Sequence, residues 1–154
     1  MITKDEVVAA QQTWGEAVVR IGQLYQDNKD YKSECIAIVK ELYGFHERMV
    51  LFKPTLAAVT PFRLTLEGAV SYFVGDNEKF AEDAGFALRP WTNVRFENAG
   101  FVLKEEEAVS MGTYYFTDLS GEETRVEYTL GFFRAESGNL KICVHHSSLP
   151  YAPA

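Results

Sequence analysis

The sequence predicts an α+β protein in which a curved antiparallel sheet wraps over N-terminal helices to form a cone. In the first half of the chain, apolar residues recur at the spacing of a buried helix face. From Trp91 onwards, apolar and polar residues alternate in long extended segments. Helices followed by a run of antiparallel strands define the α+β class. Because long strands twist and curve, a sheet wrapped over helices leaves a hollow at one end.

Three helices are predicted from their N-caps and apolar stripes. Thr3 and Glu6 form a capping box at the start of the first helix. Asp30 is the predicted N-cap of a second helix, which ends before Gly44, where a left-handed residue is expected. Thr65 caps a third helix, which a Gly-Asp-Asn turn terminates.

The strands are predicted from alternation and from turn residues. Two short segments come first, at residues 49–52, which Pro54 terminates, and at residues 62–64. Residues 76–90 are acidic and lack periodicity, so a loop is expected there. The long strands are predicted at residues 91–103, 107–117, 125–134 and 140–147. Without a linker or repeat, residues 1–154 are expected to form a single domain.

Composition opposes several classes of function. The net charge of −7, with no run of Lys or Arg, opposes nucleic-acid binding, which needs a basic patch. Apolar stretches are too short for a membrane span and the N-terminus does not resemble a signal peptide, so no membrane association is expected. Cys35 and Cys143 match no metal or redox spacing, which indicates reduced thiols in a cytoplasmic protein. No cofactor is expected.

The C-terminal hairpin places ionisable groups beside the predicted core. Under strict alternation, Leu140, Ile142 and Val144 share one face of the last strand, and His146 follows on that face. Arg125 opens the partner strand. A guanidinium and an imidazole at the end of a core sheet suit a pocket for a small polar ligand. An ordinary hydrogen-bonded sheet end could contain the same groups.

Three motifs carry a resemblance to a known superfamily. Residues 51–54 (LFKP), 123–126 (ETRV) and 145–150 (HHSSLP) resemble segments of the association (hub) domain of calcium/calmodulin-dependent protein kinase II. The order of predicted elements resembles the nuclear transport factor 2-like superfamily of α+β cone folds. The chain also resembles a bacterial group of stand-alone relatives of that domain.

The resemblance implies a homo-oligomer, either a dimer or a larger ring, whose cone holds an arginine-lined pocket for small carboxylates. Arg125 matches one of the pocket arginines. Gly112 stands near the position of another, so part of the anion-binding set is missing. The long strands also leave one sheet face uncovered with few charges, which independently favours a dimer through the sheet.

The first functional hypothesis is an oligomeric, non-catalytic module that binds a small carboxylate or another anion. Arg125 and His146 are its principal contacts. Arg95 shares a face with Trp91 and Asn93 under strict alternation, which suits a pocket lining. The full set of ligand-binding candidates is Arg125, His146, Arg63, Arg95, Trp91, Tyr114 and Tyr72.

The second hypothesis is an enzyme of the polyketide-cyclase, isomerase or dehydratase kind, as in other relatives of the superfamily. His146 would be the general base, with Asp118 or Glu127 as its carboxylate partner.

The candidates also have structural interpretations. Arg125 could form an ion pair with a neighbouring glutamate, Tyr114 could pack in the core, and Asp118 fits a turn. His145 and His146 point to opposite faces of a strand and cannot share a metal ion, so no metal site is expected.

Overall fold

The computed structural model describes all residues from 1 to 154 and has three α-helices and one five-stranded sheet. The helices are α1 (Lys4–Gln26), α2 (Tyr31–Leu42) and α3 (Leu66–Val74). The strands are β1 (Leu51–Lys53), β2 (Trp91–Leu103), β3 (Glu107–Asp118), β4 (Glu123–Arg134) and β5 (Leu140–Ser148). They lie in the order β1-β5-β4-β3-β2, antiparallel except for the parallel pair of β1 and β5. The predicted α+β class is confirmed.

The predicted helix starts are confirmed. Thr3 and Glu6 form the reciprocal capping box of α1. The side chain of Asp30 accepts from Ser33 N–H at the start of α2, and Thr65 accepts from Gly68 N–H at the start of α3. These side chains satisfy N–H groups that the first helical turn leaves unpaired.

The inner face of the sheet packs against the helices and forms the core. Trp14 of α1 lies at its centre, 3% exposed, with its ring stacked on Tyr114 at a centroid distance of 5.6 Å. The rings of Phe73, Phe96 and Phe116 pack edge-on around the same indole. The outer face carries exposed side chains of the long strands.

Irregularities in the ladder set which side chains face the core. On β5, Ile142 pairs with Phe132 and Val144 with Gly131, so Cys143 is an extra residue without a partner on β4. On β2, Thr92 is extra in the same way next to Trp91. Each bulge shifts the alternation by one residue, so side chains beyond it exchange faces.

Three local predictions are corrected. Residues 62–64 do not form a strand, because only a single bridge links Phe52 to Arg63. Gly44 does not adopt the left-handed conformation; it is small because the ring of Phe133 occupies the space a Cβ would need. The loop at residues 76–90 contains two short 3-10 helices, Glu78–Phe80 and Phe86–Leu88.

None of the helices combines the length and apolar character that crossing a membrane requires. The expectation of a single domain over residues 1–154 stays a prediction.

Candidate functional site

His145 lies at the centre of a chain of hydrogen-bonded side chains on the inner face of the sheet. Its Nδ1 is 2.7 Å from the Tyr43 hydroxyl, and its Nε2 is 3.1 Å from the Tyr114 hydroxyl. The residue is 1% exposed, with the ring of Phe52 stacked on one side and the edge of Trp14 nearby. Because Tyr43 ends α2 and Tyr114 lies on β3, the chain joins the helices to the sheet.

The chain of hydrogen bonds continues from the core towards the segment that follows β1. The Tyr114 hydroxyl is 2.5 Å from Ser147 Oγ, which is 2.6 Å from Thr55 Oγ1. Ser147 points inward with His145 because the two residues are separated by one position on β5. Thr55 is half-buried, so the chain ends near the protein surface.

The direction of these hydrogen bonds follows from Trp14, whose indole nitrogen can only donate. Trp14 Nε1–H donates to the Tyr43 hydroxyl at 2.9 Å. The hydrogen of that hydroxyl then has only His145 Nδ1 as an acceptor. A neutral imidazole that accepts at Nδ1 carries its proton on Nε2, and His145 therefore donates to Tyr114.

The direction of the remaining bonds follows from the acceptors that are available. Because His145 Nε2 carries a proton, Ser147 Oγ is the acceptor left in the chain for the Tyr114 hydroxyl, and Thr55 Oγ1 is then the acceptor for the Ser147 hydroxyl. The Thr55 hydroxyl also lies close enough to the Tyr72 hydroxyl to donate a hydrogen bond to it. The Tyr72 oxygen accepts the backbone N–H of Leu56 at 3.1 Å as well. The site therefore places two hydroxyl groups side by side.

Burial keeps the hydrogen-bonded side chains of this site uncharged at neutral pH. It lowers the pKa of His145 from 6.5 to about 3, with a smaller contribution from the adjacent His146. It raises the pKa of Tyr43, Tyr72 and Tyr114 well above the ordinary value of 10. The site thus offers neutral donors to a ligand, and no three His, Cys, Asp or Glu side chains are placed together as a metal-binding group.

A cleft of about 410 Å³ opens beside Tyr72. Its walls are mainly apolar and aromatic and include Leu56, Phe86 and Trp91. The guanidinium of Arg89 lies over the Trp91 ring at 5.0 Å from its centroid. An apolar cleft with the Tyr72 hydroxyl in its wall suits a small molecule with polar oxygen atoms.

Three predicted ligand-binding residues lie at this site. Tyr114 is a member of the hydrogen-bonded chain, and Tyr72 and Trp91 line the cleft. Their binding role stays a proposal.

Arg63 lies close to the cleft, but its guanidinium is bonded to other groups of the protein. Its guanidinium is fully buried and makes two hydrogen bonds of 2.7 Å to the carboxylate of Asp83. It also donates to the carbonyl oxygens of Thr60 and Gly68. With its donors engaged in this way, Arg63 stabilises the loops around the cleft.

The predicted inward orientation of His146 is wrong. The extra residue Cys143 shifts the alternation of β5, so His145 and Ser147 face the core and His146 is exposed. Arg125 and Glu127 are also exposed, on the outer face of β4. These residues therefore do not share the interior hollow that the sequence analysis expected for them.

Arg95 and Asp118 are likewise outside the site. The bulge at Thr92 separates the faces of Trp91 and Arg95, and Arg95 forms exposed ion pairs with Glu97 and Glu123. Asp118 accepts the N–H of Ser120 in the β3–β4 turn. The turn interpretation of Asp118 is the one that the structure supports.

Gly112 stands near the position of a pocket arginine in the kinase association domain. This position cannot hold a larger residue. A Cβ there would collide with the carbonyl oxygen of Glu97, because a second irregularity of β2 brings its backbone close.

The sequence analysis did not identify the inward residues His145, Ser147, Thr55 and Tyr43 as site residues. The HHSS motif contains the first two, but the phase of the strand decides which histidine is buried. That phase depends on the bulge at Cys143, for which the alternation of residue types gives no signal.

Comparison with known proteins identifies the family. The family described as metal-independent carbonic anhydrase matches residues 5–149, and the chain belongs to this family. A metal-independent carbonic anhydrase from Nostoc sp. is 44% identical to this chain in an alignment that covers 97% of this chain and 75% of that protein.

Solved structures agree with this assignment. The iota-carbonic anhydrase from a cyanobacterium, complexed with bicarbonate, superposes with a TM-score of 0.96 at 42% identity, covering 99% of this chain and 94% of that one. A calcium/calmodulin-dependent protein kinase II association domain from Xanthomonas campestris gives a TM-score of 0.67 at 21% identity, covering 99% of this chain and 91% of that one. A nuclear transport factor 2-like protein from Streptomyces avermitilis gives 0.58 at 14% identity, covering 96% of each chain.

The last two similarities show the fold alone. The predicted resemblance to the nuclear transport factor 2-like superfamily and to the kinase association domain is therefore confirmed for the fold. The family itself, the metal-independent carbonic anhydrases, was not named by the sequence analysis.

Proposed function

We propose that this protein catalyses the reversible hydration of carbon dioxide to bicarbonate without a metal ion. The observation that carries the proposal is the pair of neighbouring hydroxyls, Thr55 and Tyr72, at the end of a buried chain of hydrogen bonds whose direction Trp14 sets. Membership of the metal-independent carbonic anhydrase family and similarity to a structure complexed with bicarbonate support it.

In the proposed reaction a water oxygen forms a bond to the carbon of carbon dioxide, one C=O bond becomes a C–O⁻ bond, and the water releases one proton to solvent. Negative charge grows on the carboxylate oxygens as the C–O bond forms. The hydroxyls of Thr55 and Tyr72 donate to these oxygens and stabilise the transition state more than neutral carbon dioxide.

The rest of the chain positions the donors. Ser147 and Tyr114 hold the oxygen of Thr55, and neutral His145 holds Tyr114. Because these groups are fixed before the substrate arrives, little reorganisation is needed during the reaction. The aromatic wall beside Tyr72 offers an apolar surface for carbon dioxide.

A second candidate is a non-catalytic module that binds bicarbonate or another small anion. The pKa of His145 is lowered to about 3 and burial raises the pKa values of the tyrosines. No member of the chain is therefore poised near neutral pH to accept the proton of water. That observation favours binding without catalysis.

The exposed apolar side chains on the sheet bear on the oligomeric state. We propose a homodimer, or a larger ring, formed through the outer face of the sheet, where Val102, Val109 and Met111 are exposed. We further propose that the protein is cytoplasmic.

The two functions are separated by measuring carbon dioxide hydration and bicarbonate binding on the same variants. We expect Thr55→Val and Tyr72→Phe each to lower kcat/KM for hydration, measured by stopped-flow with a pH indicator. The exposed Tyr25→Phe is the control. A wild-type protein that binds bicarbonate but hydrates carbon dioxide no faster than buffer would favour the binding module.

A further inference from the structure

The carboxylate of Glu82 is held by three consecutive backbone N–H groups of the loop that follows Thr55. It accepts from Ala58 at 2.7 Å, from Val59 at 3.1 Å and from Thr60 at 2.8 Å. The side chain is 17% exposed and lines the cleft. A carboxylate that satisfies three adjacent amides fixes the path of their backbone.

A buried ion pair anchors the same loop from the other side. Arg63 donates to the carbonyl oxygen of Thr60 at 2.7 Å while it holds the adjacent acidic residue, Asp83, through two hydrogen bonds. Ser71 of α3 also donates to Asp83, at 2.6 Å. Thr60 is therefore held at both its N–H and its carbonyl oxygen, and Glu82 is tied to α3 through its neighbour.

This loop begins at the site itself. Thr55 supplies the terminal hydroxyl, and the N–H of Leu56 occupies the oxygen of Tyr72. The positions of both donors therefore depend on the path of residues 55–60. We propose that Glu82 is a positioning residue, which holds residues 55–60 so that the hydroxyls of Thr55 and Tyr72 converge on the bicarbonate oxygens. This inference rests on the proposed function.

The charge of Glu82 matters as well as its shape. Hydrogen bonds to a charged acceptor are stronger than those to a neutral one. Glutamine has the same shape but only one carbonyl oxygen, and its NH₂ group would face one or more of the loop amides. Glu82→Gln should therefore release part of the loop without leaving a cavity.

The test compares Glu82→Gln with Glu67→Gln, which removes an exposed carboxylate in the first turn of α3 that contacts Asn77 and Lys79. Hydrogen–deuterium exchange of the peptide containing residues 58–60 reports the loop. We expect faster exchange and an about tenfold lower kcat/KM for carbon dioxide hydration in Glu82→Gln only.

A double-variant cycle with Thr55→Val separates positioning from a general loss of stability. If Glu82 acts through Thr55, adding Glu82→Gln to Thr55→Val lowers kcat/KM by much less than it does in the wild type. Additive losses, or exchange and activity that match the wild type, would overturn the inference. A wild-type protein without hydration activity would overturn the proposed function and the inference together, whereas an active wild type with an unaffected Glu82→Gln overturns the inference alone.

Discussion

The indole Nε1–H of Trp14 donates to the hydroxyl of Tyr43 at a distance of 2.9 Å. Since indole cannot accept a hydrogen bond, this contact sets the donor and acceptor of every later bond in the chain. The Thr55 oxygen at the other end consequently accepts from Ser147 and keeps its own hydroxyl hydrogen to donate. A contact between two core side chains thus sets the donor direction at the proposed binding site.

Tyr43→Phe should remove this control over the tautomer of His145. In the wild type we expect the neutral ring to carry its proton on Nε2, whereas in the variant Nδ1 loses its donor and both tautomers become populated. The ¹⁵N chemical shifts of the imidazole distinguish the two forms. The unsatisfied Trp14 N–H should cost about 1–3 kcal/mol of the free energy of unfolding.

The matched control for this variant is Tyr25→Phe, which alters an exposed hydroxyl. A wild-type protein whose His145 is protonated on Nδ1 would contradict the direction that we assign to the chain.

The buried His145 should remain neutral in the folded protein down to about pH 3, because burial lowers its pKa to about that value. The unfolded chain binds a proton at this residue near pH 6.5, so between pH 6.5 and pH 3 the unfolded state holds more protons. Stability from this group is therefore fully present above pH 6.5 and is lost as the pH falls, by up to about 1.4 kcal/mol per pH unit.

An NMR titration of the imidazole Cε1–H signals checks this prediction. The signal of His145 should stay unchanged from pH 8 to the onset of acid unfolding. A His145 signal that titrates near pH 6.5 in the folded protein would show that the ring is not desolvated as described.

Two adjacent serines on β5 allow a matched test of the chain of hydrogen bonds that ends at Thr55. Ser147→Ala removes the link between Tyr114 and Thr55, and should lower kcat/KM for carbon dioxide hydration about tenfold or more. Ser148→Ala alters a residue on the other face and should leave activity unchanged. Equal activities of the two variants, measured by stopped-flow, would exclude Ser147 from the site.

Arg63→Met should destabilise the protein strongly, because it leaves the Asp83 carboxylate buried without its partner. The expected loss is about 3–5 kcal/mol in the free energy of unfolding, measured by urea denaturation. The control is Arg95→Met, whose ion pairs are exposed and should matter little. A small loss in Arg63→Met would mean that solvent reaches Asp83 once the guanidinium is gone.

The elements of this fold could be predicted from the sequence, and the faces of two strands could not. Thr3, Asp30 and Thr65 mark helix starts through side-chain hydrogen bonds to neighbouring N–H groups, which are local interactions. The long strands are likewise visible as alternating residues. Their phase changes at Thr92 and Cys143, where the pairing of whole strands places an extra residue.

The change of phase decides which residues form the site. Strict alternation predicted that His146 faces the core, whereas the bulge at Cys143 places His145 and Ser147 there. Tyr72 and Tyr114 were among the predicted ligand-binding residues. The contributions of Thr55 and Glu82 depend on a loop held by tertiary contacts, which has no periodic signal in the sequence.

The most direct measurement of the central claim is the exchange of ¹⁸O between carbon dioxide and water, followed by membrane-inlet mass spectrometry on chelator-treated protein. We predict that the wild type accelerates exchange without added metal and that a Thr55→Val, Tyr72→Phe double variant does not. An exchange rate equal to that of buffer, or one that appears only when zinc is added back, would contradict the account.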